Sequence, residues 1–219
     1  MSRSVTATIP QFFTKGRKII GVGRNYQDHA AELGNVVPTE PIIFLKPTSS
    51  YILEGDKIKL PPKTKEIHHE VELGVVIGKE GRNITPESAM DYVKGYALSL
   101  DMTARDMQRQ LAKKGHPWSL AKGFDTATPI SGFIPKTTLP DPMNVHLWLK
   151  VNDEMRQDGN TKDMIFDIPS LISYISQYFT LEEEDVILTG TPAGVGPVKS
   201  GDSINCGLND IVTMKFDVE

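Results

Sequence analysis

The sequence predicts a strand-rich α+β domain, one that is predominantly β. Three observations carry this expectation. Short runs of Val, Ile and Leu bounded by glycine or proline recur along the chain, as at 42–45, 71–77 and 186–188, which is the pattern of strands. Helical spacing of apolar residues is rarer and clearest at 168–179. No repeat, low-complexity tract or linker divides the 219 residues, a length ample for one well-filled core.

Composition narrows the function classes. Twenty-four basic residues against 28 acidic ones leave a net charge of −4, which gives no reason to expect nucleic acid or an anionic membrane as partner. The single cysteine, Cys206, excludes an internal disulfide and fits a reducing compartment. No apolar run approaches the length of a membrane span.

Residues 1–24 contain Arg3, Lys15, Arg17, Lys18 and Arg24 and no acid. This is the composition of a weak mitochondrial transit segment, or of a short basic arm (1–17) leading into a single domain over 18–219. The expected address is the mitochondrion, with the cytosol as a second one. A first strand at 18–22 runs into the glycine-rich turn Gly21-Val22-Gly23-Arg24-Asn25-Tyr26, which completes no dinucleotide fingerprint. Residues 28–33 have helical propensity and stop at Gly34, so His29 and Glu32, three apart, share a face. A carboxylate beside an imidazole orients the ring and suits it to general-base work, although a solvated surface pair has the same spacing.

A buried strand at 41–47 presents Lys46 at its end, and an alternating strand at 55–60 is closed by Pro61-Pro62. The stretch 68–78 reads as a strand on which Glu70, Glu72 and Gly74 share one face and Val71, Leu73 and Val75 the other. At about 3.3 Å per residue the two glutamates stand roughly 6.6 Å apart at the backbone, close enough to converge on one ion. Their other reading is the wet face of an antiparallel strand. Thr85-Pro86-Glu87 opens a helix with an N-cap and a proline in its first turn. A strand at 95–101 then ends on a third acid, Asp101, and three carboxylates without clustered cysteine describe a hard-cation site.

A helix over 103–114 sets Arg105 and Gln108 one turn apart just beyond Asp101, in reach of a substrate carboxylate, with an exposed polar helix face as the other reading. Lys122 follows in a glycine-containing loop, able to hold an anion or to stand as a solvated charge. Residues 146–154 read as a strand entering a hairpin at Asn152-Asp153. A short buried strand at 186–188 feeds Thr189-Gly190-Thr191-Pro192-Ala193-Gly194-Val195-Gly196, which lacks the Gly-Lys-Ser/Thr of a nucleotide loop. Its glycines expose backbone N–H groups and Thr191 adds a hydroxyl, a cradle for a carboxylate or enolate, although a plain structural turn has the same composition. The alternating tail, 201–218, is expected to form a hairpin at the edge of the sheet.

Taken together, these pieces resemble the fumarylacetoacetate hydrolase family, and within it the small acylpyruvase and oxaloacetate-acting members. The matching motifs are Gly23-Arg24-Asn25-Tyr26 with His29 and Glu32, Phe44-Leu45-Lys46-Pro47, and His69-Glu70-Val71-Glu72-Leu73. They continue through Asp101-Met102-Thr103-Ala104-Arg105-Asp106, Ala121-Lys122 and residues 189–196. The resemblance implies a β-rich roll of mixed sheets assembled as a homodimer. It implies that Glu70, Glu72 and Asp101 bind Mg²⁺, with Mn²⁺ as substitute. His29 and Glu32 would form a catalytic dyad on a short lid, with Lys122 completing the group. Arg24, Lys46, Arg105, Gln108, Gly190 and Thr191 would contact substrate.

The implied substrates are small 2-oxo acids, which can chelate such an ion through carboxylate and keto oxygens. Oxaloacetate would tautomerise between keto and enol forms or lose CO₂ to give pyruvate. Acylpyruvates such as acetylpyruvate and fumarylpyruvate would be cleaved by water through a metal-bound enolate. Two other readings share these residues: a hydratase or isomerase of 2-oxo-dienoic acids, and a non-catalytic 2-oxo acid binding protein. Zinc is the other metal to consider, because His68 has the strand parity of Glu70 and Glu72.

Overall fold

The computed structural model describes residues 9–27 and 37–219. A short helix α1 (Gln11–Lys15) precedes β1 (Ile19–Gly23), β2 (Ile42–Lys46), β3 (Tyr51–Ile52), β4 (Lys57–Ile58), β5 (Ile67–His69) and β6 (Val71–Ile77). Helix α2 (Pro86–Ala89) leads to β7 (Val93–Leu100) and β8 (Thr103–Ala104), then to α3 (Arg105–Lys113) and α4 (Ser119–Lys122). Next come β9 (Thr128–Pro129), β10 (Ile134–Pro135), β11 (His146–Val151), β12 (Glu154–Asn160), α5 (Ile168–Tyr178) and β13 (Val186–Leu188). The chain closes with β14 (Gly196–Val198), β15 (Ser203–Leu208) and β16 (Val212–Val218).

Among the described residues the strands form a six-stranded sheet, β10-β7-β6-β13-β1-β2, and a five-stranded one, β12-β11-β15-β16-β4. Smaller sheets order as β14-β5-β8 and β3-β9. Parallel pairings (β1 with β13, β16 with β4, β3 with β9) stand among antiparallel ones, so the sheets are mixed and the expected predominantly β architecture holds.

Strand β6 runs through the middle of the large sheet and is buried on both faces. Val71, Leu73, Val75 and Ile77 enter the main core, while Val76 meets a smaller cluster containing Phe12, Ile19, Tyr51, Val186 and Leu188. Each such aliphatic side chain contributes about 1.5–3 kcal/mol on burial, on the order of 10 kcal/mol for the strand as an upper estimate. That burial offsets part of the cost of the buried carboxylate that β6 carries, Glu72. The α1 segment belongs to the same packing, because Phe12 is fully buried against Tyr51 and Lys18 Nζ reaches Asp185 Oδ2 at 2.5 Å.

Other local expectations hold for the physical reasons given. Asp167 caps α5 by accepting from Ser170 N–H at 2.9 Å, and Leu171, Ile172 and Ile175 fill its apolar stripe. Asn152 and Asp153 take φ of 50° and 66°, the left-handed pair of a type I′ hairpin turn. Helix α2 starts with Pro86 in its first turn, but Thr85 makes no side-chain bond to the backbone there.

The differences are informative. The stretch 68–78 is two strands, since β5 pairs with β14 and β8 while β6 joins the six-stranded sheet, and Glu70 lies in the break. Helix α3 begins at Arg105, because Thr103 and Ala104 pair with His68 and Ile67 first. Strand β2 is an edge strand, half-buried with Leu45 exposed, where the apolar run suggested full burial. Only Lys57 and Ile58 of the stretch 55–60 pair as strand, against β16. The tail hairpin β15–β16 sits inside the five-stranded sheet, because β11 covers one side of it and β4 the other.

Candidate metal centre and its surroundings

Two chain passages cross from the three-stranded to the six-stranded sheet side by side. One is β5 to β6 at Glu70; the other is β7 to β8 at Asp101 and Met102. A hydrogen bond from Asp101 N–H to Glu70 O at 2.9 Å joins them. Glu72 follows on β6, opposite Ser99 of β7, and points to the same place. The result is a cluster in which Glu70, Glu72 and Asp101 each offer an oxygen within 4.8 Å of the others. All three are buried, at 5%, 1% and 1% exposure, so a wet strand face is excluded.

Burying three carboxylates is costly unless positive charge and hydrogen bonds compensate. Lys122 Nζ donates to Glu70 Oε2 at 2.8 Å and also to Asp101 Oδ2. Lys46 Nζ donates to Asp101 Oδ1 and to Ala127 O at 2.8 Å. The guanidinium of Arg105 pairs with Glu70 Oε1, which also accepts from Thr103 Oγ1 at 2.9 Å. Glu72 Oε2 accepts from Gly190 N–H at 2.8 Å. Burial and the neighbouring charges of Asp101 and Glu70 hold the Glu72 carboxyl well above the usual range. Burial lowers Lys46, which gains one carboxylate partner but feels Lys122. Burial opposes charge on Lys122 too, yet Asp101 and Glu70 outweigh it and its pKa is raised.

This donor set, all carboxylate oxygen and dry, fits a hard divalent cation. His68 is not part of it. Its Nε2 faces Glu66 Oε1 at 2.8 Å and its Nδ1 accepts from Arg105 Nε at 3.4 Å, so both nitrogens are committed. Strand parity misled here because it does not carry across the break at Glu70. With His68 committed elsewhere, its strand parity no longer argues for zinc.

Of the other expected residues, Gln108 Oε1 accepts from Arg105 Nη1 at 2.7 Å, so the pair is formed and aimed at Glu70. Arg24 sits half-buried at the end of β1 with φ of 58°. Gly190 needs its glycine: φ is 95°, and an added Cβ would lie 2.7 Å from Asn25 Cβ. Thr191 Oγ1 donates its one hydrogen to Val71 O at 2.8 Å, so that hydrogen ties the loop to β6 in this arrangement. His29 and Glu32 lie outside the described residues.

Three contributors escaped the sequence reading. Asn25, fully buried, donates from Nδ2 to Thr189 O at 2.8 Å and to Phe166 O at 2.9 Å, fixing the loop to the end of β1. Phe44 lies 5.0 Å under Lys122 Nζ and 5.8 Å from the Trp118 ring, an aromatic wall beside the lysine. Gln157, on the far strand β12, reaches the loop from a third direction. Asn25 stood inside a quoted motif; Phe44 did too. Gln157 had no signal, sitting among polar residues of a strand that reads as surface.

A family model described as fumarylacetoacetate (FAA) hydrolase, C-terminal, matches residues 18–219. The chain is 58% identical over 210 residues to a protein of Dictyostelium discoideum named oxaloacetate decarboxylase, mitochondrial, covering 95% of this chain and 96% of that one. It is 54% identical over 211 residues to oxaloacetate tautomerase FAHD1, mitochondrial, of Bos taurus, covering 96% of each. Among solved structures, fumarylpyruvate hydrolase from Pseudomonas aeruginosa, in complex with Mn²⁺ and pyruvate, superposes with a TM-score of 0.88 at 35% identity. That match covers 92% of this chain and 89% of the other.

Proposed function

The chain belongs to the fumarylacetoacetate hydrolase family, and on that premise we propose that it is a divalent-metal-dependent enzyme of small 2-oxo acids. It interconverts the keto and enol forms of oxaloacetate, decarboxylates oxaloacetate to pyruvate, and hydrolyses the carbon–carbon bond of acylpyruvates. The observation that carries this reading is the buried cluster Glu70, Glu72 and Asp101, ringed by Lys46, Lys122 and Arg105. The relatives named for oxaloacetate chemistry, and the neighbour holding Mn²⁺ and pyruvate, support it.

We assign Mg²⁺, with Mn²⁺ as substitute, to the three carboxylates. Bound there, the cation supplies a Lewis acid for the 2-oxo carbonyl. The protein's own groups do the rest. Three carboxylates and three cations sum to no formal charge, so a dication leaves a positive excess that a dianion such as oxaloacetate balances. Arg105, hydrogen-bonded to Gln108, and the Lys46 and Lys122 ammoniums orient the acid and stabilise negative charge growing on its oxygens. We assign the substrate contacts on the far side to Arg24, just past the end of β1, and to Gly190 and Thr191 of the 189–196 loop. We assign to His29, with Glu32, the transfer of the proton of water or of the substrate carbon.

The assembly we propose is a homodimer, for which edge strand β2 with exposed Leu45 and the groove of about 490 Å³ beside Phe44, Trp118 and Phe179 offer apolar surface. The address we propose is mitochondrial, following the relatives so named, with a cytosolic fraction. The deciding experiment removes metal by chelation and then adds Mg²⁺, Mn²⁺ or Zn²⁺ to protein given oxaloacetate, acetylpyruvate, fumarylpyruvate and a 2-oxo-dienoic acid. Turnover of the first three with Mg²⁺ is expected. Turnover of the dienoic acid alone would replace this reading by a hydratase or isomerase, and binding without turnover by a carrier.

A further inference from the structure

We infer that Gln157 is a positioning residue, one that sets the 189–196 loop against the metal-ligand strand from outside the centre. It is fully buried, although residues 154–156 and 158 of the same strand are exposed. The reason is a bulge. Leu149 pairs with Gln157 but Lys150 pairs with Met155, so Arg156 is an extra residue on β12 and the next side chain is turned inward.

Inside, every hydrogen-bonding atom of the amide reaches something that builds the centre. Oε1 accepts from Val71 N–H at 3.1 Å and faces His69 Nδ1 at 2.9 Å, flanking Glu70 on both sides. Nε2 donates to Thr191 Oγ1 at 2.7 Å and to Pro192 O at 2.9 Å. One planar group thereby spans the ligand strand and the loop whose Gly190 N–H meets Glu72. It also supplies the donor that fixes the Thr191 hydroxyl, whose own hydrogen is already on Val71 O.

The backbone around this contact has no slack. A Cβ on Gly159 would lie 2.4 Å from Pro192 Cβ, and one on Gly194 would lie 1.9 Å from Arg156 O. Strand β12 and the loop touch main chain to main chain, and the amide of Gln157 sets their register. A loop displaced by about 1 Å at a reacting centre costs on the order of 100-fold in rate. Gln157 therefore acts on turnover and on ligand affinity through Gly190 and Thr191, without contacting the ion.

The kinetic part rests on the functional reading above; the structural part does not. In Gln157→Met, hydrogen exchange of the 189–196 amides should rise about tenfold or more. Mn²⁺ affinity should stay within about threefold, while pyruvate affinity in the presence of Mn²⁺ and kcat/KM on oxaloacetate fall about 10–100-fold. Thr191→Val should give a similar loss, and the double variant little more than the worse single, because both cut the same bond. If Gln157→Met folds poorly, Gln157→Glu keeps the chain length and an acceptor for Val71 and removes the amide donors; the same faster exchange is expected. Unchanged exchange in the loop overturns the inference, as do fully additive losses or a collapse of Mn²⁺ affinity matching the loss of rate. Wild-type protein that turns over no 2-oxo acid overturns the functional reading alone, and the exchange comparison still decides the role of Gln157.

Discussion

A carboxylate among three cations is held by mutual neutralisation, so removing one of the six charges exposes the rest. Glu70→Ala takes the carboxylate from Arg105 and one of two from Lys122, and Asp101→Ala takes the carboxylate from Lys46 and the other from Lys122. Each of Glu70→Ala, Glu72→Ala and Asp101→Ala should weaken Mn²⁺ binding and lower activity by about 10²–10³-fold, the share expected when a Lewis acid worth several kcal/mol is lost. Isothermal titration with Mn²⁺ checks the binding, and near-full turnover in any of the three without excess metal would remove that residue from the ligand set. A second prediction separates the reactions. Hydrolysis and tautomerisation need a proton moved by a side chain, whereas CO₂ leaves once the enolate charge is stabilised. His29→Ala should therefore cut the first two by about 10²–10⁴-fold and spare a larger fraction of decarboxylation. Rates measured at saturating Mg²⁺, with the spontaneous reaction subtracted, should show that asymmetry; equal losses in all three would make His29 a substrate-positioning residue.

At the scale of elements, α1 is the test of where the domain begins. Its Phe12 fills the cluster behind β6, in a segment that precedes the family match. Phe12→Ala should destabilise the protein by about 3–5 kcal/mol, as for other buried aromatics. Chemical denaturation reads this directly. We propose accordingly that any removal of a transit segment happens ahead of α1, since cutting after it would discard that packing. A reporter carrying residues 1–24 tests the address, and purely cytosolic fluorescence would make the segment structural only.

The elements also show what sequence could reveal. Glu72 and the Val71, Leu73, Val75 face were legible because strand alternation is a local property of β6. His68 was misread because alternation stops where a chain changes sheets, and that change depends on partners far along the sequence, β8 and β14. The tail hairpin was placed at an edge for the same reason: its parallel neighbour β4 is a two-residue strand more than 100 positions earlier. Gln157 was invisible because one inserted residue in β12 reverses its facing, and a bulge has no composition of its own here.

For the molecule as a whole, the centre lies where two sheets meet, so a ligand there should stabilise the entire fold. A cation at 100 times its dissociation constant contributes about 2.7 kcal/mol by mass action. For a chain of this size that corresponds to roughly 5–10 °C in Tm. Thermal unfolding after chelation, repeated with Mg²⁺ or Mn²⁺ added, should show a rise of this order, abolished in Asp101→Ala. No rise in wild type at millimolar metal would mean that the cluster is a self-neutralised structural core.

Glu70 and Asp101 are tied to each other by a main-chain hydrogen bond at the crossing between sheets, and Glu72 is set one pleat further into the large sheet. We propose that the sheet pairing on either side of this crossing limits how far the three carboxylates can part around a guest. A cage of this kind discriminates by ionic radius. Calcium, which wants six to eight oxygens at about 2.3–2.6 Å and a yielding shell, should be poorly served, whereas ions near 2.1 Å match fixed carboxylates supplemented by water and substrate. The junction of two sheets would then act as a gauge, selecting a small cation before any substrate arrives.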